Sequence, residues 1–515
     1  MGKLTNPLIY EIYPRSFYDS SGTGEGDLNG IAEKLSYVKS LGVDAIWIAP
    51  FYPSSWHDGG YDVIDHCNVD PRLGTLADFD RLVGHAQDLG LSVLVDLVFK
   101  HTSVEHPWFK SAVEGDQSAA ERYVWRDAAA DGTPPTNWIG YFGKPAWSWC
   151  HQRQQYYLHQ YHASQPALNH RNQDVQNSIR EIMAFWCDRG VAGFRFDAVT
   201  SWFHDDQFRD NPPASDQEQR LIDGVPKSPY TRQRHEYDML VREGANYMEN
   251  IRAWAGRDLY LFGENNFGIA SLDIALDYTG AEKLNGCYTT DTVRCGHSSK
   301  AWQNIFDKLD GRWRTPWWFE SHDRARSRTN LGNDSEEFVK FLAVLTAILP
   351  GAALIYQGQE LGLPQPPLDK SEIQDPFDLS YWPDDPGRSG ARVPIPWTEA
   401  KDNFGFSSSP PWLPMRWQAG MSIESQETDK GSPLNCYRHA IYLRKKYDLS
   451  NPIVFNYQQH GQLLTVFSKT KAGSFSAVFN FGDSEKDFEL SNSLIVTGVS
   501  GGMIAPYGAA IMEQV

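Results

Sequence analysis

Strand and helix patterns alternate along most of the sequence, and this alternation restricts the possible folds more than any other feature. Across the 515 residues, the pattern predicts eight βα units, all placed before residue 450. Such alternation indicates a parallel sheet, and eight units favour a closed (β/α)8 TIM barrel of the α/β class. An open doubly wound sheet is the alternative, but no glycine-rich phosphate loop follows the first predicted strand.

The predicted elements follow each other at nearly regular intervals. The strands are predicted at 8–14, 45–52, 92–99, 193–199, 259–265, 286–290, 315–323 and 352–360. The helices are predicted at 28–42, 75–90, 174–190, 239–256, 299–309, 335–349 and 432–446. The second helix has a clear start signal, because Thr75 can cap it with Asp78 three residues further on.

The periodicity changes in two places, which predict two further domains. Residues 102–169 show no regular period and are rich in Trp, Tyr, Gly and Pro, and they are too many for a structureless loop. We expect an inserted domain there, within a barrel formed by 1–101 and 170–449. Residues 450–515 contain short alternating runs such as LLTVFSK and SFSAVFNF, which predict a C-terminal antiparallel β-sandwich.

Composition limits the partners. A net charge of -18 argues against nucleic acid or an anionic membrane as a partner, although it says little about a neutral substrate. No run of 18 apolar residues predicts a membrane span. The six cysteines form no CxxC pair, so buried free thiols and a cytoplasmic location are expected. The sequence does not indicate an oligomeric state.

The fourth predicted strand carries two charges in an apolar run, Gly193-Phe-Arg-Phe-Asp-Ala-Val199. Arg195 and Asp197 are two residues apart, so their side chains point to the same side. One interpretation is a buried structural ion pair. The other is a catalytic carboxylate held by an arginine at the carboxyl end of a barrel strand, where barrel enzymes place their chemistry.

Other strand ends favour the catalytic interpretation. Similar polar residues follow the second, third, fifth and seventh strands, namely Asp62, His101, Glu264, His322 and Asp323. All of them are expected on one face of the barrel. The three carboxylates Asp197, Glu264 and Asp323, with two histidines and an arginine and without a serine or cysteine nucleophile motif, indicate acid–base and carboxylate-nucleophile chemistry. Glycoside hydrolysis is the leading reaction of this kind.

Several motifs resemble the α-amylase family of glycoside hydrolases, family 13, and within it the α-glucosidase and oligo-1,6-glucosidase branch. The matching stretches, in order along nearly the whole chain, are Asp58-Gly-Gly-Tyr-Asp62, Asp96-Leu-Val-Phe-Lys-His101, Gln165-Pro-Ala-Leu-Asn169, Gly193 to Asp197, Gly263-Glu264 and His322-Asp323. The resemblance implies a (β/α)8 barrel with a domain B inserted after the third strand and a C-terminal β-sandwich, in agreement with the periodicity.

The resemblance also implies roles. Asp197 would be the nucleophile, Glu264 the general acid and then the general base, and Asp323 would stabilise the transition state. No cofactor would be needed for catalysis.

Seven further residues would bind the substrate, a small α-glucoside or oligosaccharide. Tyr61 would stack under the glucose ring, and Asp62 with Arg392 would clamp its non-reducing end, so cleavage would be exo. The remaining four, which would hold the glucose or face the substrate, are His101, Arg195, His322 and Phe142.

Departures from the family pattern leave the preferred linkage open. They are Ala167, Ala198, Asn265 and Ser321. The hydrolysis hypothesis is an exo-acting α-glucosidase. A transglucosidase would use the same residues, with a sugar or alcohol replacing water. A catalytically inactive binding relative is disfavoured, because all three acids are present.

A glycine-rich loop resembles the structural calcium loop of this branch. Its predicted oxygen ligands for Ca²⁺ or Mg²⁺ are Asp19, Ser21, Thr23, Glu25 through its carbonyl, and Asp27. Two neutral oxygens, from Ser21 and Thr23, predict weak binding of a hard cation. A turn that needs no metal is the alternative.

Overall fold

The computed structural model describes residues 3–296, 298–332, 334–383, 385 and 387–514. The strands of these residues, in chain order, are β1 Leu8–Ile12, β2 Ala45–Ile48, β3 Ser92–Leu97, β4 Trp125–Arg126, β5 Trp147–Cys150, β6 Gln155–Leu158, β7 Gly193–Phe196, β8 Tyr260–Glu264, β9 Gly286–Tyr288, β10 Ala353–Tyr356, β11 Val454–His460, β12 Leu463–Thr470, β13 Gly473–Asn480, β14 Lys486–Asp487, β15 Ser493–Ser500 and β16 Met503–Gln514.

Fifteen α-helices lie in the same described ranges. They are α1 Leu28–Ser40, α2 Leu76–Asp88, α3 Pro107–Val113, α4 Gln117–Ala120, α5 Gln173–Cys187, α6 Asp216–Gln219, α7 Val241–Ala255, α8 Ser271–Asp277, α9 Asp291–Arg294, α10 Ser299–Leu309, α11 Ser327–Asn330, α12 Glu336–Ile348, α13 Pro376–Tyr381, α14 Ile423–Thr428 and α15 Pro433–Lys446. The predicted start of α2 is confirmed, because Thr75 and Asp78 form a capping box there.

Parallel strands form a barrel, as predicted. The order β10-β1-β2-β3-β7-β8-β9 is parallel throughout. The predicted strand at 315–323 is reduced to a single bridge between Trp317 and Ala353. Pro316 lacks an N–H and cannot join a regular ladder. Nevertheless, the segment closes the barrel, because Cys287 N donates to Arg314 O at 3.0 Å and Trp317 N donates to Ala352 O at 3.0 Å.

Side chains fill the barrel interior. Ile9, Trp47, Leu94, Phe262 and Leu354 belong to one buried apolar cluster inside it. Trp47 and Phe262 meet edge to face at 5.6 Å. Because the interior is packed, polar groups at the strand ends lie above a closed floor, on the carboxyl face of the barrel.

Two further sheets flank the barrel. The sheet β4-β6-β5 lies within 102–169, the range predicted as an insertion. The predicted antiparallel C-terminal region is confirmed: β11 to β16 form one connected sheet, in which β16 pairs with β13 on one side and β15 on the other. Phe341 of α12 packs against Phe479 and Phe481 of this sheet. The domain boundaries themselves stay a prediction.

A membrane segment is absent from the described residues, since no helix there has both the length and the apolarity to cross a bilayer.

Candidate active site

A cavity of about 150 Å³ lies at the carboxyl ends of the barrel strands. The three acids predicted as catalytic, Asp197, Glu264 and Asp323, all line it. Its wall also includes Asp58, Tyr61, His101, Phe142, Asp223, Arg324 and Arg388. The structure therefore brings together acids that are 59 to 126 residues apart in the sequence.

The guanidinium of Arg195 is the centre of the charged network. Its Nη1 lies 2.8 Å from Asp197 and 2.9 Å from Asp96, and its Nη2 lies 2.6 Å from Glu264. Strand register explains the Asp96 contact, because Asp96 of β3 pairs with Arg195 of β7. Tyr288 of β9 accepts a further hydrogen bond at 2.8 Å. The predicted pairing of Arg195 with Asp197 is present, and the same arginine also holds Glu264.

Burial and the charge of Arg195 shift the pKa values of Asp197 and Glu264 in opposite directions. Burial raises the pKa of Asp197 well above its usual range, against the opposing charge of Arg195. Burial likewise raises the pKa of Glu264, with Arg195 opposing and the charge of Asp323 adding to the rise. A raised pKa suits an acid that must donate a proton near neutral pH, as proposed for Glu264. A nucleophile must be ionised, and the charge of Arg195 favours the ionised form of Asp197.

Asp323 has the opposite balance. Burial alone would raise its pKa, but His322, Arg388 and Arg392 outweigh burial and hold the pKa well below the usual range. Its Oδ1 accepts from Arg388 at 2.7 Å and from Arg392 at 2.8 Å, while its Oδ2 lies 3.1 Å from His322 Nε2. Asp323 is thus the acid that stays charged.

His322 lies between two carboxylates. On the side of the ring away from Asp323, its Nδ1 lies 2.5 Å from a carboxylate oxygen of Glu11. Burial would lower the pKa of His322, but Asp323 and Glu11 raise it to about 9. The imidazole is therefore a cation at neutral pH. Its ring lies parallel to that of Tyr61, 5.2 Å away.

Three further predicted substrate residues surround the same space. The hydroxyl of Tyr61 donates to Asp96 at 2.9 Å, which fixes the ring against the cavity. His101 Nε2 lies 3.0 Å from the carbonyl of Tyr61, and burial lowers its pKa to about 3, so the imidazole is neutral. Phe142 lies on the cavity wall and packs edge to face against Phe377, 5.6 Å away.

The predicted clamp of Asp62 and Arg392 is wrong. Asp62 is fully buried and faces away from the cavity, because its carboxylate accepts from Ser54 Oγ at 2.8 Å and from the backbone N–H of His57 at 3.1 Å. Arg392 lies behind Asp323 and also donates to the carbonyl of His322 at 2.8 Å.

Asp58 and Arg388 occupy the position in the cavity that was predicted for the clamp. These two residues form a buried ion pair and both line the cavity. Asp375 lies 3.0 Å from Arg388 Nε, and Gln165 donates to Asp58 at 2.8 Å. Both members lie in stretches that the sequence singles out: the first aspartate of Asp58-Gly-Gly-Tyr-Asp62, and the first arginine of Gly387-Arg-Ser-Gly-Ala-Arg392. The sequence could also have pointed to Asp96, because it is the single acid in an apolar strand.

The glycine-rich loop at Asp19 gathers four of its five predicted ligand oxygens. Ser21 Oγ lies 3.0 Å from Asp19 Oδ1 and 3.4 Å from Thr23 Oγ1, which lies 3.3 Å from the carbonyl of Glu25. The Asp19 carboxylate also accepts from Gly22 N at 2.8 Å, Gly24 N at 2.7 Å and Ser407 Oγ at 2.5 Å, so hydrogen bonds within the protein itself hold it. The cation stays a prediction. The fifth, Asp27, does not join them, because it caps α1 by accepting from Gly30 N at 2.6 Å.

Comparisons with known proteins agree with this arrangement. The family model described as alpha amylase, catalytic domain, matches residues 11–451. A probable alpha-glucosidase of Rhizobium meliloti (strain 1021) is 38% identical over 501 residues, which cover 94% of this chain and 90% of that protein. Probable oligo-1,6-glucosidase 3 of Bacillus subtilis (strain 168) is 33% identical over 488 residues, 86% of this chain and 84% of that protein.

Solved structures show the same fold. The crystal structure of an alpha-glucosyl transfer enzyme, XgtA, superimposes with a TM-score of 0.91 at 34% identity and covers 99% of both chains. That of the trehalulose synthase MutB from Pseudomonas mesoacidophila superimposes with a TM-score of 0.86 at 27% identity, over 99% of this chain and 98% of that chain. The resemblance stated from the motifs is confirmed: the chain belongs to the alpha-amylase family of glycoside hydrolases.

Proposed function

We propose that the protein is a retaining, exo-acting α-glucosidase that releases terminal α-linked glucose from short oligosaccharides or glucosides. The observation that carries this proposal is the Arg195 bridge between Asp197 and Glu264. One guanidinium bonds both carboxylates, so the two acids belong to one small site. This arrangement supports the retaining geometry, in which the two carboxyls lie roughly 5 to 5.5 Å apart, over the wider spacing by which inverting enzymes leave room for a water.

The first half of the reaction uses Asp197 and Glu264 together. Asp197 attacks the anomeric carbon and forms a covalent β-glucosyl ester, while Glu264 donates a proton to the departing glycosidic oxygen. The raised pKa of Glu264 favours its protonated form before this step. Arg195, bound to Asp197 at 2.8 Å, favours the ionised nucleophile.

In the second half, Glu264 accepts a proton from water, which attacks the ester and regenerates the α-configuration. Both steps pass through an oxocarbenium-like transition state. Asp323 keeps its negative charge because His322, Arg388 and Arg392 surround it, and this charge would stabilise the developing cation.

Exo action is supported by the closed end of the cavity. The side chains of Asp58 and Arg388 are only 7% and 9% exposed, and their ion pair blocks the space beyond a terminal glucose. The cavity contains more carboxyls than guanidiniums, which fits a neutral sugar. Nucleic acids and anionic membranes remain disfavoured partners, and the cytoplasm remains the proposed location.

Transglucosylation is the second candidate function. It is supported by the similarity to the alpha-glucosyl transfer enzyme and by an apolar stretch of the cavity wall. Phe142, Val225 and Phe377 form one buried apolar cluster there, with Tyr141 packed against it. Such a wall would favour an organic acceptor over water at the covalent intermediate.

We propose that the Asp19 loop binds Ca²⁺ or Mg²⁺ through Asp19, Ser21, Thr23 and the carbonyl of Glu25. Only Asp19 contributes a charged ligand, so affinity would be low. The ion would support the loop and take no part in catalysis.

One experiment tests the proposed function. NMR spectra of the early products from maltose, isomaltose, nigerose, kojibiose, sucrose and trehalose report the released sugar, its anomer and any transfer product. We expect α-glucose to appear first from at least one of them. A first product in the β-configuration would contradict the retaining mechanism, and release of disaccharides from longer chains would contradict exo action.

A further inference from the structure

The side chains of Glu264 and Arg324 are more exposed than those of Asp58 and Arg388, which indicates that the cavity is open on the side of Glu264. The closed end at Asp58 and Arg388 is nearly inaccessible, whereas the side chain of Arg324 is 27% exposed. The general acid must reach the oxygen that joins glucose to its leaving group. The leaving group, and later the acceptor, must therefore lie between Glu264 and the open rim.

An ion pair joins two walls of this rim. Arg324 Nη2 lies 2.5 Å from both carboxylate oxygens of Asp223, and both residues line the cavity. Arg324 directly follows Asp323, whereas Asp223 belongs to the long connection between β7 and α7. Arg294 approaches the same carboxylate at 3.4 Å, but it does not belong to the described cavity wall.

Arg324 has hydrogen-bond donors that can bind a ligand. Among the contacts of the described residues, only its Nη2 has a side-chain partner, which is Asp223. The Nε and Nη1 donors remain for the hydroxyl groups of a ligand. Because the ion pair fixes the guanidinium, little conformational entropy is lost when such hydrogen bonds form.

The charges of the cavity wall disfavour an anionic leaving group. Of the described residues, six carboxyls line it: Asp58, Asp197, Asp223, Glu264, Asp323 and Asp385. The guanidiniums on the same wall are those of Arg324 and Arg388, with Arg195 and Arg392 behind them. Just outside this wall lie the cations His322 and Arg294 and the acids Asp96, Asp375 and Glu11. Even with Glu264 protonated, the eight remaining acids outnumber the six cations, so a phosphate at the rim would meet a negative potential.

We propose that the Asp223–Arg324 pair determines the specificity for the leaving group and the acceptor, selecting neutral polyhydroxylated groups. Arg324 donates hydrogen bonds to their hydroxyls, and Asp223 both orients Arg324 and disfavours phosphorylated groups. This inference rests on the proposed α-glucosidase function and adds the chemical class that occupies the open side of the cavity.

The first test compares two substrates that share the glucose but differ in the leaving group. Maltose presents hydroxyls at the rim, whereas p-nitrophenyl α-glucoside presents a flat ring without hydroxyls. In Arg324→Leu, kcat/KM for maltose should fall at least about tenfold and that for the aryl glucoside by less than about threefold, as expected for lost hydrogen bonds to a charged donor. Arg324→Lys should recover part of the maltose activity.

Arg294→Leu is the matched control, because Arg294 contacts the same Asp223 without lining the cavity. It should leave the ratio of the two kcat/KM values within about twofold of wild type. An equal loss on both substrates in Arg324→Leu, or no loss on maltose, would overturn the proposal. Wild-type turnover of the aryl glucoside tests the proposed function separately from these variants.

The second test addresses charge. The wild type should prefer maltose over maltose phosphorylated on its reducing-end glucose, and Asp223→Asn should reduce that preference at least about fivefold. A wild type that prefers the phosphorylated sugar, or an unchanged ratio in Asp223→Asn, would refute the role of Asp223. Because the readout is a ratio, partial unfolding of the variant does not affect it.

Discussion

Nη2 of Arg195 lies 2.6 Å from Oε2 of Glu264, although the two residues come from different strands of the barrel. The same guanidinium bonds Asp197 at 2.8 Å, so one cation contacts both groups of the proposed displacement. Removing this cation must change the ionisation of both acids in the same direction, because a nearby positive charge lowers the pKa of a carboxyl.

Arg195→Gln should therefore move the pH dependence of kcat/KM upwards. The two limbs report the coupled ionisation of Asp197 and Glu264, which share the Arg195 guanidinium, and both limbs should shift by about 1 pH unit or more. The measurement is a pH profile with p-nitrophenyl α-glucoside. Arg195→Lys, which keeps a charge, should shift the limbs less, and limbs that stay in place in Arg195→Gln would exclude the proposed electrostatic role.

The corrected clamp makes Asp58 and Asp62 a matched pair. Asp58→Asn weakens the ion pair with Arg388, so kcat/KM for maltose should fall at least about tenfold with a small change in Tm. Asp62→Asn disturbs the buried contacts with Ser54 and His57, so it should lower Tm by about 4 °C or more, with a smaller effect on kcat/KM. The reverse pattern in the two variants would indicate that Asp62, and not Asp58, binds the substrate.

The protonated His322 links stability to pH. Its pKa is about 9 in the fold, above the ordinary value of about 6.5. Its stabilising contribution is complete below the unfolded value and is lost as pH rises from about 6.5 to about 9.

Denaturant titrations should thus show the free energy of unfolding falling over this window. The wild type should lose up to about 3 kcal/mol more than His322→Gln, which cannot bind the proton. Parallel curves for the two proteins would mean that His322 is neutral in the fold.

Chelation tests the loop at Asp19. If a cation occupies it, EDTA should lower Tm, and added Ca²⁺ should restore it. Asp19→Asn removes the one charged ligand and should abolish the response to both reagents. A wild-type Tm that changes with neither EDTA nor added Ca²⁺ would favour a metal-independent turn.

The barrel could be predicted because its strands are buried on both faces and its helices on one, which gives each a clear hydrophobic pattern. The strand at 315–323 was the exception, because Pro316 limits its hydrogen bonding and leaves a single bridge at Trp317. The irregular insertion and the long segment before α7 could not be placed, since periodicity carries no information about which part of a loop faces a cavity.

The three acids could be predicted because each ends a strand, and the barrel geometry brings strand ends together. The clamp could not, because Asp58 and Asp62 lie in one short motif, as do Arg388 and Arg392 in another. Which member faces the cavity depends on the turn of each loop, here on Ser54 and the backbone N–H of His57 holding Asp62 away. The Asp223–Arg324 pair joins segments that share no motif.

The most direct test of the account is the product that azide forms with Glu264→Gln. This variant keeps the shape of the acid but cannot donate an acidic proton, so turnover of maltose should fall by about 10² to 10⁴, and that of p-nitrophenyl α-glucoside far less. Azide needs no base and should accelerate the second step. NMR of the product should show α-glucosyl azide, because Asp197 and then azide each invert the anomeric carbon. A β-glucosyl azide would contradict the assignment of Asp197 as the nucleophile.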